Sequence, residues 1–592
     1  MAPRPPNQTP KTFSVYDFEW YPATLQFRMA GVYDEEKGYR SYATVAEFLY
    51  HELTPENYGR TFFAHNGGKS DIHFILHELL ISNLARTEYT VEAAFNGSSA
   101  FLVQVSKRGE PERKFIFADT LFLLKAALKK IGQWLGYDKL SVDFETDSWS
   151  ELRDYNERDC RVLYRAVMDL QAELFAMGGE FKSTLASCAM ALFQTRYLTD
   201  TLHTNKTINR FAHRGYYASR VEVFHKRCQE GNYYDVNSSF PWSMRQTLPG
   251  RFLGTTRRTG HRLKGADTYI ADATVTVKNC FLPPLPFRDK HQRILFPWGT
   301  WRGIFTQPDL ELLEKSGHTI EKIHTVEWFE GFTDLRDYVD DLYAKKESST
   351  GFKRELYKLL LNSLYGKFAE GAEKEKMLLY PEITFCTHKK KHAKNECMKM
   401  RSPAYWIRTD EMRLEHVHVP FPATITAYSR ALLYNHMATC EELYYCDTDS
   451  IVCGKDDVLP TGPQVGELKH EYIVRDAHFA APKLYALKDE MKGEQVVRSK
   501  GFSRLDRQSF DAVVAGEGVP IHRMAGVKEN LRAMFDVSKV SGTLQKWTQI
   551  GDAKPTEAEF IKRARMLRTK RKEFPDGGTA PWHVSEIEGA ET

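Results

Sequence analysis

The stretch Leu443-Tyr444-Tyr445-Cys446-Asp447-Thr448-Asp449-Ser450-Ile451-Val452 constrains this chain more than any other. An apolar run, a tight acidic turn and a second apolar run make a β-hairpin with two carboxylates at its tip. Its apolar flanks have to be covered, yet covering them desolvates two close acids that repel each other without a compensating cation. The hairpin therefore asks for a covered sheet and for a metal at its tip. A β-turn capped by its own aspartates is the plainer alternative.

Carboxylates recur in similar places. Asp235 opens Asp235-Val236-Asn237-Ser238-Ser239-Phe240-Pro241 after the aromatic pair Tyr233-Tyr234, again at a strand end, with an Asx-turn as the alternative. Residues 13–18 (FSVYDF) read as a strand, and a period of two points Asp17 and Glu19 to one side. Acid-x-acid pairs are cheap, since 78 acidic residues in 592 give roughly ten by chance, so this pair gains meaning only from its company. His65-Asn66-Gly67-Gly68-Lys69-Ser70-Asp71 sets a glycine turn after TFFA and places Asp71 at the start of a helix, where service as an N-cap is the alternative. Tyr155 and Asp159 stand four apart on a helix and share a face, or form an ordinary surface pair. Four carboxylates and a phenol in one domain are the inventory of a site that holds two metal ions and hydrolyses a phosphodiester.

A helix is expected from about 335 to 368. On it Lys358, Asn362, Tyr365 and Gly366 (KLLLNSLYG) line one stripe, with Leu359, Leu360 and Leu361 for packing. A cation, an amide, an aromatic ring and bare backbone suit a triphosphate carrying a flat base. An amphipathic helix that happens to carry an Asn is the alternative.

Length and composition frame these signals. A chain of 592 residues argues for several domains, and 42% hydrophobic with 27% charged residues is ordinary for globular proteins. The net charge of +4 neither demands nor excludes a polyanionic partner. Local clustering matters more. Residues 385–401 (FCTHKKKHAKNECMKMR) and 562–572, where seven of eleven residues are Lys or Arg, keep a phosphate backbone in play, although solvated surface is the commoner meaning; on a helix the second run would cover most faces. Nine cysteines without a C-x-x-C pair point to a reducing compartment. With no leader-like N-terminus and no run of eighteen apolar residues, a soluble cytoplasmic protein without membrane contact is expected.

Helices are expected at 41–55 and 72–85, a short strand joined to an amphipathic helix over Phe115 to Leu128, and further helix from about 150 to 200. Strands mixed with helices suggest an α/β unit ending near 180, before the strand VEVF. Between about 250 and 335 prolines interrupt short β-like runs, which predicts an irregular insert.

In order, DFE, N-x4-D, Y-x3-D, D-x2-S-x-F-P, K-x3-NS-x-YG, Y-x-DTDS and K-x-Y resemble the family B DNA polymerases, in particular the protein-primed branch of bacteriophages and linear plasmids (the phi-twenty-nine type), over residues 16–485. The resemblance implies an α/β multidomain fold: an RNase H-like 3'-5' exonuclease domain plus a right-hand polymerase of palm, fingers and thumb with two inserted TPR subdomains. The corresponding bounds are 1–180 for the exonuclease, 181–245 and 416–515 for the palm, 246–335 for TPR1, 336–372 for the fingers, 373–415 for TPR2 and 516–592 for the thumb. In relatives the first insertion contacts the priming protein and the second closes a ring around template and product.

Carried over by position, the resemblance makes Asp17, Glu19, Asp71 and Asp159 exonuclease metal ligands and Tyr155 the group that orients the attacking water. Asp235, the Val236 backbone and Asp449 would hold two Mg²⁺ for polymerisation, with Mn²⁺ as a substitute and Asp447 beside them. Lys346, Arg354, Lys358, Asn362, Tyr365, Val236 and Phe240 would bind the incoming nucleotide. The looser matches as DNA ligands are His65, Asn66, Thr120, Leu121, Lys139, Tyr216, Arg220, Gly366, Thr426, Arg430, Lys483 and Tyr485. Implied partners are template and primer DNA, dNTPs, a terminal protein as primer and a single-stranded DNA-binding protein, with the polymerase itself a virus- or plasmid-encoded monomer. A related polymerase that starts without a protein primer, and a DNA-binding exonuclease with silent polymerase motifs, are the competing readings.

The sequence departs from the family pattern at Phe240, where a tyrosine is usual in motif A, at Tyr216-Tyr217-Ala218-Ser219 in place of Y-x-G-G, and at Ser70 before Asp71.

Overall fold

The computed structural model describes residues 1–22, 24–97, 99–137, 140, 142–143, 146–203, 205–257, 261–371, 374–379, 398–399, 404–409, 415–502, 505–524, 557–562 and 570–587. Lys139, most of the Lys-rich run 385–401 and residues 563–569 lie outside them.

The N-terminal part is built on a mixed sheet. Strands β1 (Phe13–Trp20), β2 (Phe27–Asp34), β3 (Gly38–Tyr42), β4 (Thr61–Ala64), β5 (Tyr89–Asn96), β6 (Ser99–Lys107) and β7 (Glu110–Asp119) lie in the order β5-β6-β7-β4-β1-β2-β3. The β1–β4 and β4–β7 pairings are parallel and the others antiparallel. Parallel central strands are covered on both faces. Here helices α1 (Val45–Glu52) and α2 (Asp71–Ile81) join a core with Tyr16, Phe18 and Phe62, while the long α3 (Trp149–Ala176) joins another with Phe13, Val15 and Phe63. A capping box formed by Ser148 and Glu151 starts α3.

Several sequence expectations shift. Residues 41 and 42 end β3, so α1 starts only after its Thr44 cap. The helix expected to 85 ends at Ile81, with Asn83 left-handed beyond it. Phe115 lies in β7, which runs to Asp119, and the helix expected before Leu128 begins there instead (Leu128–Trp134).

A second sheet, wholly antiparallel, carries the motifs of the C-terminal half. Its strands are β8 (Val221–Val223), β9 (Arg227–Val236), β10 (Leu443–Asp447), β11 (Ser450–Gly454), β12 (Leu468–Ala481), β13 (Leu484–Asp489) and β14 (Glu494–Ser499), in the order β14-β13-β12-β9-β11-β10-β8. β9, from the middle of the chain, thus lies beside the hairpin β10-β11, more than two hundred residues later. Helix α6 (Pro420–Met437) covers this sheet, with Leu433 and Met437 against Cys446 and Ile451.

Residues 246–335 are more regular than expected. Leu248–Arg257, Thr319–Phe332, Thr268–Val277 and Gly299–Thr306 form an ordered four-stranded sheet closed by helix Gln307–Lys315, with Trp301 and Leu310 in its core. The prolines fall mainly in its connections and at helix N1/N2, where no backbone donor is needed. The single helix expected from 335 to 368 is two, α4 (Asp334–Glu347) and α5 (Gly351–Ser363), parted at Gly351, whose φ of +56° suits glycine. Within the expected TPR2 span, Lys374–Leu379 pairs with β5 and so extends the N-terminal sheet. Within the expected thumb, residues 570–587 return to the second sheet and the 246–335 sheet, through bridges His225↔Gly578 and Trp298↔His583. Of the basic run 562–572, Lys562 ends strand Glu557–Lys562, and residues 563–569 lie outside the described residues.

Candidate active sites

At the N-terminal sheet, Asp17 and Glu19 share one partner. The buried Asn156 amide donates to the Asp17 backbone carbonyl (3.1 Å) and side chain (3.4 Å) and to Glu19 Oε1 (3.1 Å). Asn156 lies on α3 between Tyr155 and Asp159, which are both buried. Asp71 is the first residue of α2 rather than its N-cap; its carboxylate accepts the Phe18 backbone N–H at 2.9 Å and the Ser70 hydroxyl at 2.6 Å. The turn, the strand end and the helix therefore bring Asp17, Glu19, Asp71 and Asp159 together. Burial pushes the Glu19 carboxyl up, and the Asp159 charge adds to that. Burial also raises that of Asp71. Such crowding of desolvated acids is the electrostatic signature of a cation site.

A residue with no earlier signal, Asp119, ties the HNGGKS loop down. Its carboxylate accepts backbone N–H groups of Asn66 (2.8 Å), Gly68 (3.1 Å) and Leu121 (2.8 Å). Gly68 is required for this approach, because a Cβ there would sit 2.1 Å from the Ala100 carbonyl.

In the second sheet, Asp235 and Ser450 are direct cross-strand partners, and the Val236 N–H donates to the Asp449 carbonyl at 2.8 Å. Asp235 and Asp449 thus meet at one end of adjacent strands. Burial, reinforced by Asp449, raises the Asp235 carboxyl to about 7; burial and then Asp447 raise Asp449 to about 6. Asp447 is turned into a separate network. It is ion-paired with Lys483 and accepts the Tyr445 hydroxyl at 3.1 Å. Thr448 (φ +65°) and Ser238 (φ +55°) hold left-handed backbone on either side of the acids, strain of a kind concentrated at functional sites.

Glu471 was not singled out by sequence. It is the extra residue of a β-bulge in β12, opposite β9, and its charge raises both Asp235 and Asp449. Bulges re-aim side chains next to active sites, and no local sequence pattern announces this one.

Lys358, Asn362 and Gly366 are exposed along α5 and the turn after it, while Tyr365 is half-buried and stacks on Phe240. Lys346 and Arg354 lie together at the α4–α5 junction, where Arg354 donates to the Lys346 carbonyl at 2.9 Å.

The expected DNA ligands divide. Asn66 is exposed, and Leu121 and Tyr216 are partly so. Others are corrected by their surroundings. Arg220 is buried against Glu222, donates to the Pro283 carbonyl at 2.8 Å and stacks over Phe296. Arg430 is buried on Asp309 and the Tyr217 carbonyl. The Thr426 hydroxyl bonds within its own helix, and Thr120 is buried on the Ala64 carbonyl. Both ring nitrogens of His65 are engaged, by Thr120 (3.0 Å) and the Ala126 carbonyl (2.7 Å). Tyr485 is buried beside Tyr445 and Phe479. These side chains build the protein and leave little surface for a strand, because sequence spacing shows that a cation is present but not that a carboxylate covers it.

The fold matches solved structures of one kind of enzyme. A Phi29 DNA polymerase determined with primer-template DNA and incoming nucleotide superposes with a TM-score of 0.70 at 17% identity, covering 88% of this chain and 98% of that one. Residues 137–418 match the family described as DNA polymerase type B, organellar and viral. The DNA-directed DNA polymerase of Enterobacteria phage PRD1 is 24% identical over 520 residues, 81% of this chain and 82% of its own. A probable DNA polymerase of Podospora anserina is 26% identical over 381 residues, 56% of this chain; the match spans about a third of that relative, 31%. Sheet, site and relatives together define a type B polymerase architecture. The chain is thus similar to the type B DNA polymerases of organelles and viruses over residues 137–418, and to the phage PRD1 enzyme over most of its length.

Proposed function

We propose that the protein is a template-directed DNA polymerase with a 3'-5' proofreading exonuclease, primed by a terminal protein and copying a linear viral or plasmid genome. The convergence of Asp235 and Asp449 at one end of adjacent strands carries this reading. In the polymerase site Asp235, Asp449 and the Val236 carbonyl would hold divalent cations, Mg²⁺ in the first place, and the bulged Glu471 adds charge nearby. Bound there, the cations supply charge neutralisation at the reacting phosphate. Lys358, Lys346 and Arg354 neutralise the incoming triphosphate, Tyr365 bounds its base and Phe240 its sugar. The primer 3' hydroxyl then attacks the α-phosphate in line and pyrophosphate leaves.

Asp17, Glu19, Asp71 and Asp159 would hold the cations of the nuclease, and Tyr155 orients water toward the last phosphodiester of a frayed 3' end. A copying enzyme accepts every base, so template and primer are held through their backbones. A domain plan of exonuclease, palm, fingers, thumb and two insertions accommodates both sites. In initiation a hydroxyl of the terminal protein takes the place of the primer hydroxyl.

Asp449→Ala is expected to abolish extension of a primed template and spare degradation of single-stranded 3' ends, while Asp17→Ala with Glu19→Ala does the reverse. Loss of both activities in either variant overturns the two-site reading. For priming, radiolabelled first nucleotide should become covalently attached to a protein supplied from the same genome; product made from template and nucleotides alone would overturn that part.

A further inference from the structure

Behind the polymerase hairpin, on the side away from the catalytic turn, the sulfurs of Cys440 and Cys453 and a carboxylate oxygen of Asp457 lie within 4.8 Å of one another. The three come from different elements. Cys440 follows α6, Cys453 lies on β11 four residues beyond Asp449, and Asp457 sits in the loop after β11. We propose that these residues form a separate binding site for a thiophilic divalent cation, of which Zn²⁺ is the natural example, independent of the polymerase and nuclease sites and of the function assigned to them.

The donor set selects the ion. Two thiols with one carboxylate suit zinc and its soft relatives, whereas magnesium and calcium take oxygen ligands. Tetrahedral zinc with bonds of about 2.3 Å to sulfur sets its ligand atoms roughly 3.5–4 Å apart, so the observed cluster needs little closure. The carboxylate is already oriented, because Asp457 accepts backbone N–H groups of Glu441 (2.7 Å), Glu442 (3.1 Å) and Gly454 (3.1 Å). Bonds of this kind fix a ligand's direction. The strand side is rigid too. The Asn232 amide holds the carbonyls of Gly454 (3.2 Å), Lys455 (3.0 Å) and Asp457 (3.4 Å) from β9.

Cys453 is fully buried, and its thiol donates to the backbone carbonyls of Asn232 (3.8 Å) and Asp457 (3.7 Å). Cys440 is partly exposed, which gives an ion a way in. Binding replaces the two S–H protons by two metal–sulfur bonds: M²⁺ plus two thiols and one carboxylate give a complex of net charge −1 and release two protons. The fourth tetrahedral position is left to water. Bound there, the ion ties the end of α6 to the strand that follows Asp449, a structural rather than catalytic role.

The test is titration of the full-length, reduced protein with Cd²⁺ and Zn²⁺ in the presence of excess Mg²⁺. One equivalent of Cd²⁺ should bring up the ultraviolet sulfur-to-metal charge-transfer band, Zn²⁺ should displace it, and binding should weaken as pH falls because protons compete. Cys440→Ser is the main variant, since Cys440 is partly exposed and its loss leaves the core intact. It should weaken Cd²⁺ binding by roughly tenfold or more, and Asp457→Asn by a smaller factor. Asp449→Ala should bind Cd²⁺ like the parent, which separates this site from the polymerase centre. A stoichiometric band unchanged in Cys440→Ser, or no band in the parent, overturns the proposal. So does loss of both thiols to an intramolecular disulfide that forms equally well with saturating Zn²⁺ present.

Discussion

The ring of Phe240 stacks on that of Tyr365, with centroids 4.4 Å apart and planes inclined by 23°. One ring comes from the short helix Ser239–Met244 after Asp235 and the other from the turn after α5, so the contact joins the end of β9 to the end of α5. Offset aromatic pairs of this geometry add about 0.5–1.5 kcal/mol beyond their buried area. Burial, with Tyr216 and Asp449 nearby, pushes the Tyr365 phenol up to about 12, so it stays neutral at working pH.

Ribose rejection should rest on the bulk of Phe240, braced by Tyr365, without help from a hydroxyl. The parent is therefore expected to reject ribonucleotides. Phe240→Val should raise ribo- over deoxyribonucleotide incorporation by roughly 10- to 200-fold, the range for a change in pocket bulk. Single-nucleotide extension with matched dCTP and CTP reads the ratio, and equal use of both by the parent contradicts the argument.

Asn156 should matter to the nuclease as much as some of its carboxylates. It bridges Asp17 and Glu19 and receives the Tyr39 hydroxyl at 3.0 Å. Asn156→Ala should cut 3' degradation about 10- to 100-fold, as for loss of a group that orients metal ligands, and leave extension of a paired primer near the parental rate. Gly31 gives a second handle. It faces Asp17 across β1 and β2, and a Cβ there would fall 1.6 Å from Asn156 Oδ1. Gly31→Ala should reproduce the nuclease defect from the neighbouring strand.

These two cases also show what was legible in the chain. Acids at strand ends, the glycine turn and the acidic hairpin are local patterns, because strand period and turn chemistry act over a few residues. Asn156 and Glu471 are not local. An asparagine mid-helix and a glutamate in a β-strand look ordinary until folding sets them against Asp17 or the β9 partner. The opposite error arose at Arg220 and Arg430, where a cation in a plausible motif proved to be sealed on a carboxylate. The break between α4 and α5 was visible in principle, in the Ser-Ser-Thr-Gly run at 348–351.

The raised carboxyls predict how the metal-free protein responds to pH. Asp235 and Asp449 hold protons up to about 7 and about 6 in the fold, but release them near 4 when unfolded. Between those values the folded state binds more protons, so stability from this source is greatest below about pH 4 and is lost as pH rises toward 7. In a chelator the midpoint of thermal unfolding of the parent should therefore fall between pH 5 and 8 by more than that of Asp235→Asn. Mg²⁺ should restore the parent at pH 8 and help little at pH 5. An identical pH response of parent and variant counts against the buried-acid account.

Lys483 is expected to control how tightly the polymerase site holds its cations, acting through Asp447, its direct partner. The Lys483 ammonium pairs with Asp447, and its backbone N–H donates to the Tyr445 hydroxyl at 2.9 Å, which in turn donates to Asp447 at 3.1 Å. Asp447 raises the Asp449 carboxyl and Lys483 lowers it, so removing the ammonium leaves an uncompensated charge beside Asp449, a proposed metal ligand. Lys483→Ala should hold Asp449 protonated to higher pH and shift the pH profile of extension to the alkaline side. The Mg²⁺ concentration for half-maximal extension should rise as well, by roughly tenfold at neutral pH. Lys483→Arg keeps the charge and should recover most of the loss, and Tyr445→Phe should show a milder shift in the same direction. Degradation of single-stranded 3' ends, which depends on the other sheet, should keep its parental Mg²⁺ dependence throughout. A Lys483→Ala enzyme slowed at every Mg²⁺ concentration, with an unmoved midpoint, would assign the residue to DNA contact instead.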